Sequence, residues 1–227
     1  SQPGGAVRYL AEVAAPVPAG LLRPWPGTLP DHPLRHAFAR VGGPAADLAW
    51  AQGVLDGLGV VTAGPPQQIR TWNLSSLWRW PAREGDAAWL KVVPPFFKHE
   101  GQMLARLAGH PVPRLLGHEG TRLLLAPIAG EDLYDADLSC ACAMVDLLVD
   151  LQATWQGRGD ELVALGAPDW RGPAFTRAAA GLLQRRKAEL PPARQDRLAA
   201  FVDGLPQRWA AIADCGLDDG LLHGDCH

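Results

Sequence analysis

Apolar residues recur at helical spacing from Ala45 to Leu58, at Leu48, Ala49, Val54, Leu55 and Leu58, and Gly59 follows as a stop. This stretch is predicted to be one helix. Gly64-Pro65-Pro66 then marks a break, and the period changes. Gln68–Asn73, Ser76–Pro81 and Ala88–Val93 are short runs rich in aliphatic and aromatic residues. Arg83-Glu84-Gly85-Asp86, between the last two, is a turn signal, so the runs predict antiparallel strands ended by Pro94-Pro95. Met103, Leu104 and Leu107 share one face of a predicted helix over Phe97–Leu107. Pro113–Gly117 and Arg122–Pro127 predict two more strands around His118-Glu119-Gly120.

Helical spacing dominates from Leu138 onward. Leu138, Ala141, Cys142, Val145, Leu148 and Trp155 form one stripe along a helix predicted over Leu138–Trp155. Further helices are expected over Pro173–Glu189 and Ala193–Ala213, the latter broken near Pro206. Leu221-Leu222 leads into a last short strand or loop. Residues 1–43, rich in Pro and Gly, read as an extended arm with one short element near Val7–Val13. Strands, one helix, strands and then many helices make an α+β chain with two lobes. The expected divisions are 1–65, 66–128 and 129–227.

Composition narrows the function classes. The 227 residues are 48% hydrophobic and 20% charged, as in a soluble globular protein, and can bury a core. A net charge of −3 offers no basic footprint for nucleic acid. No apolar run reaches the roughly 18 residues of a membrane span, and Pro16 and Pro18 interrupt the most apolar N-terminal stretch, so neither membrane nor signal peptide is expected. Cys140, Cys142, Cys215 and Cys226 fit neither a CxxC pair nor a disulfide-dense module, which points to reduced thiols and a cytoplasmic location.

Three candidate chemistries stand out. A nucleotide loop of the GxxxxGK[ST] kind is absent, and Gly57-Leu58-Gly59 lacks a third glycine and ends a helix, so P-loop and dinucleotide readings are poor. Lys91, inside the apolar run Trp89-Leu90-Lys91-Val92-Val93, is followed by a helix with Glu100 in its first turns. An ammonium aimed at phosphates needs an anion to fix its flexible stem, and Glu100 is placed to supply it; the plainer alternative is a snorkelling strand lysine. The ending Leu221-Leu222-His223-Gly224-Asp225-Cys226-His227 has two plainer alternatives, a polar tail and a compact zinc site.

That ending resembles the catalytic loop of the aminoglycoside phosphotransferase (APH) family, which shares the protein-kinase-like fold. Trp89–Val93 and His99-Glu100 resemble the family's lysine strand and helix glutamate. Leu123–Leu133, ending in Gly130-Glu131-Asp132-Leu133, resembles its hinge, and order and spacing agree over about 66–227. The resemblance implies a two-lobe fold, with an antiparallel sheet in the N-lobe and a mainly helical, incomplete C-lobe. It implies ATP and Mg2+ as cofactors and a small-molecule hydroxyl as acceptor, such as an aminoglycoside-like compound, a sugar or an amino alcohol. Lys91 would hold the α- and β-phosphates, Glu100 would orient Lys91, and the Ala126 carbonyl and Ile128 N–H would meet adenine. The turn carrying Ser75 and Ser76 would cover the phosphates; the alternative is an ordinary polar turn. Asp225 would act on the acceptor's proton and His223 would brace the loop.

The family's Asn and Asp that hold Mg2+ come after position 227, so no metal ligand is assigned within the chain. The chain is therefore expected to be an inactive piece of a longer protein. A non-catalytic kinase-fold module that binds nucleotide or a partner is the competing class. Glu131, Asp132, Asp135 and Asp137 could attract a cationic substrate, or simply decorate a helix N-terminus. Alternation of Trp72, Trp78 and Trp80 on strand positions favours packing.

Overall fold

A computed structural model of the chain describes residues 34–130 and 135–222, together with 18, 20, 23 and 32. The element expected near Val7–Val13, the acids Glu131 and Asp132, and the segment 223–227 lie outside the described residues. The chain divides into two compact units, 1–101 with 113–128 and 102–112 with 129–227.

The first unit is built on a five-stranded antiparallel sheet in the order β1-β2-β3-β5-β4. Its strands are β1 (Gln67–Thr71), β2 (Ser76–Pro81), β3 (Asp86–Val92), β4 (Leu115–Glu119) and β5 (Arg122–Leu125). Gly85, at φ 68°, takes the left-handed position in the β2–β3 turn that a side chain would resist. Strand side chains alternate between faces, and β3 shows the consequence. Ala88, Leu90 and Val92 are buried on one face, while Ala87, Trp89 and Lys91 share the other.

Helix α1 (Gly43–Gly57) covers the apolar face. Its fully buried Ala51 and Leu55 join Phe38, Trp80, Ala88, Leu90, Val92 and Leu124 in one core. Two polar contacts fix its angle on the sheet. Trp80 Nε1 donates to Gln52 Oε1 at 3.1 Å, and Arg122 Nε donates to Asp47 Oδ1 at 2.8 Å. Burial pushes the Asp47 carboxyl above its usual range, and Arg122 opposes that push. The helix predicted from Ala45–Leu58 is thus a structural part of the sheet unit.

The predicted helix over Phe97–Leu107 starts later than expected. Pro95–Phe97 instead forms a 3-10 turn, and helix α2 runs Glu100–Arg106. The cause is Pro94-Pro95, whose carbonyls accept the Phe97 and Lys98 N–H groups and close tighter turns.

The second unit is helical, with α3 (Leu138–Thr154), α4 (Gly159–Ala164), α5 (Gly172–Arg186), α6 (Pro192–Asp203) and α7 (Leu205–Ala213). Asp137 caps α3, accepting the Cys140 N–H at 2.8 Å. Met103, Leu107, Trp155 and Leu162 form its buried cluster. Trp155 is fully buried, with the Arg106 and Arg158 guanidinium groups 4.9 and 4.1 Å from its ring. Glu161 bonds both arginines.

Three details of this unit go beyond the sequence pattern. The apolar stripe of α3 is not core: Leu138 is 80% and Val145 51% exposed, and burial begins only at its C-terminal end, around Trp155. Helix α4 was not anticipated, because six residues between Gly157 and Gly166 carry too little periodicity. Of the short strand or loop expected at Leu221-Leu222, the loop is what forms.

Leu55→Ala is expected to cost about 2–5 kcal/mol, read from the urea midpoint, because it opens a cavity beneath the sheet. In the helical unit, Asp169 accepts from Arg171 Nε, Nη2 and backbone N–H, which holds its carboxyl down from 3.8 to about 2. Its folded value lies below the unfolded one. The stability it contributes is therefore present above about pH 4 and lost as pH falls through about 2. Asp169→Asn should remove that part of the acid sensitivity in an acid unfolding titration.

Candidate functional site

Lys91 and Glu100 meet in the first unit. Lys91 Nζ donates to Glu100 Oε2 at 2.7 Å, and both side chains are about one-third exposed or less (34% and 26%). The register explains where the lysine stands. Leu77 of β2 and Leu123 of β5 are its direct cross-strand neighbours, so all three side chains lie on the face opposite α1. The lysine stem is flanked by apolar residues while the ammonium reaches a carboxylate at the start of α2.

A close approach brings that carboxylate within reach. A Cβ at Gly101 would meet the His118 ring and its Cβ at 2.8–2.9 Å, so only glycine lets the first turn of α2 lie against β4. Glu100 is the residue immediately before this contact.

The hairpin joining β1 to β2 is tight and carries no glycine. Trp72 N donates to Ser75 O at 2.9 Å. Ser75 Oγ accepts the indole N–H of Trp72 at 2.8 Å, which leaves its own hydrogen to donate elsewhere. Ser76 is placed differently. It pairs with Val92, so its side chain lies on the α1 face, is 1% exposed, accepts from Trp78 Nε1 and contacts Thr71 Oγ1. Its hydroxyl shapes the hairpin from beneath.

Beyond β5, Ala126 N donates to Arg114 O at 2.8 Å. Among the described residues, neither the Ala126 carbonyl nor the Ile128 N–H makes a hydrogen bond, and Ile128 is 73% exposed. Among the described residues, a donor and an acceptor therefore stand open at the end of the sheet.

Sequence reasoning passed over Trp89. It lies two residues before Lys91, on the same face and half-buried, with Leu125 opposite. The signal was present as strand spacing: residues i and i−2 share a face.

His223 and Asp225 lie outside the described residues. The segment leading to them is tied down within the second unit. Gly157 N donates to Asp219 O at 2.7 Å, Gln152 Nε2 donates to Leu221 O at 3.2 Å, and Leu221 packs against the Trp155 cluster.

A model of the APH phosphotransferase enzyme family matches residues 77–227. The chain belongs to this family. No curated protein sequence matches the chain. Among solved structures, it is similar to the apoenzyme of macrolide 2'-phosphotransferase MphH from Brachybacterium faecium, at 18% identity and a TM-score of 0.48. The match covers 66% of this chain and 58% of that one, so the chain spans little more than half of that protein's length. The family match begins within β2, so α1 and β1 lie outside it although both are structural parts of the sheet unit.

Gly101→Val is expected to cost about 1–3 kcal/mol in urea unfolding, because the added side chain forces α2 off β4. Gly53, where nothing lies within 4 Å of the added atom, provides the contrast. Gly53→Ala should raise stability by roughly 0.5–1 kcal/mol through helix propensity alone.

Proposed function

We propose that this chain is the greater part of an ATP-dependent phosphotransferase that acts on a hydroxyl group of a small molecule. The observation that carries the reading is the 2.7 Å Lys91–Glu100 pair, displayed on the sheet face that α1 leaves open. In this reading the α- and β-phosphates of ATP lie against Lys91, whose stem Glu100 keeps from swinging into solvent. The Ser75 hydroxyl donates to a phosphate oxygen, and Ser76 braces the hairpin that presents it. Adenine meets the Ala126 carbonyl and the Ile128 N–H, and stacks on Trp89. Pro127, between those two groups, has no N–H and leaves Ile128 as the donor.

Asp225 orients the acceptor hydroxyl and receives its proton as the oxygen attacks the γ-phosphorus, the bond from that phosphorus to the β–γ bridging oxygen breaks and ADP leaves; His223 braces the loop. Such transfer asks little covalent help of the protein; placement and charge carry the rate. Mg2+ accompanies ATP in this reading. Among the described residues no three His, Cys, Asp or Glu side chains gather to hold a metal, so no step is assigned to the ion. Aminoglycoside-like compounds, sugars and amino alcohols are the acceptor classes proposed. Among the described residues no helix is long and apolar enough to cross a membrane.

Mg·ATP should raise the melting temperature of the chain, and Lys91→Met should abolish that rise. In the longer protein, Asp225→Asn should leave ATP binding intact while lowering ADP production with an acceptor by at least about a hundredfold. Binding in both proteins with no ADP release from any alcohol acceptor would favour a non-catalytic module.

A further inference from the structure

The Lys91–Glu100 pair has no net charge, whereas a nucleoside triphosphate is a polyanion. A second cation on the same face would therefore change its affinity more than any neutral group. Arg70 meets that need by register. It pairs with Leu77 across β1–β2, and Leu77 pairs with Lys91 across β2–β3. Cross-strand partners share a face, so Arg70, Leu77 and Lys91 form one row. Arg70 and Lys91 are two strands apart, about 10 Å of sheet spacing. That is the span of a polyphosphate tail, not of a single phosphate.

Three further observations bear on Arg70. Its guanidinium carbon sits 4.3 Å from the centre of the Trp72 ring, so the planar group is stacked and partly fixed. Trp72 is itself held, its indole donating to Ser75 Oγ. Among the described residues Arg70 bonds no carboxylate, unlike Arg79, Arg106, Arg122, Arg158 and Arg171. At the hairpin tip, the Asn73 and Leu74 N–H groups also make no hydrogen bond among the described residues. Among the described residues, one guanidinium that makes no hydrogen bond, one serine hydroxyl whose own hydrogen is not engaged and two open amides thus gather at a single hairpin.

We infer that Arg70, stacked on Trp72, is a phosphate-binding residue that contacts the terminal phosphates of the nucleotide while Lys91 holds the inner ones. This rests on the nucleotide reading of the same face. It assigns the residue that distinguishes a triphosphate from shorter nucleotides. Arg70 precedes the family match, as does the whole β1 strand.

Isothermal titration of the full chain with ATP, ADP and adenosine tests it, using Arg70→Gln, Arg70→Lys and Lys91→Met. Arg70 is exposed, so these variants at position 70 should keep the wild-type melting temperature. Arg70→Gln should weaken ATP about tenfold, in line with losing a charge-assisted contact, and leave adenosine within about twofold. Arg70→Lys should fall between, keeping the charge but losing the planar fork. Unchanged ATP affinity in Arg70→Gln, with a clear loss in Lys91→Met, overturns the role of Arg70 and leaves the nucleotide reading standing. Equal losses for ATP and adenosine also overturn it, since they would report a change in the base site. If the wild-type chain binds no ATP, both fall together.

Discussion

A flexible lysine becomes a positioned cation only if an anion holds its far end. In this protein that anion is Glu100, and the rest of the sheet unit serves the distance between them. The four-carbon stem of Lys91 rises between Leu77 and Leu123, so sheet register decides where it starts. The missing side chain at Gly101 decides how close α2 approaches, and so where the carboxylate sits.

Strand alternation links stability to chemistry. One set of β3 side chains, Ala88, Leu90 and Val92, is sealed beneath α1, which commits the intervening set, including Trp89 and Lys91, to the open face. A one-residue slip would bury the ammonium and expose the core together. The buried Asp47–Arg122 pair resists such a slip, because Arg122 is the direct partner of Val92, one step along from Lys91. A single ion pair on the face beneath α1 thus supports the register that places Lys91 on the other face. Through it, α1 contributes to the site although it lies outside the family match.

The helical unit follows a different logic. Its core is centred on Trp155, enclosed by arginines that Glu161 ties together, and its other helices expose much of their apolar surface. What this unit supplies is an anchored approach to the segment 223–227. Backbone and side-chain bonds from the end of α3 hold Asp219 and Leu221 in place.

Local pattern in the sequence determined which elements form: the period of two in β2 and β3, the helical spacing of α1, α3 and α5, and the stops at Gly59 and Pro94-Pro95. It also suggested the pairing of Lys91 with Glu100, since nine residues of strand, turn and helix leave few ways to arrange them, and the 2.7 Å contact in the structure decides for it over a snorkelling lysine. Tertiary structure alone decided which faces are covered, since burial depends on partners remote in the chain. The α3 stripe has the apolar spacing of a core helix yet lies exposed, whereas α1, which the expected division at 65/66 set apart from the sheet, is core. The two serines show the same division. Ser75 and Ser76 are indistinguishable as neighbouring polar residues, but the pleat sends them to opposite faces, one beside the open hairpin and one beneath it.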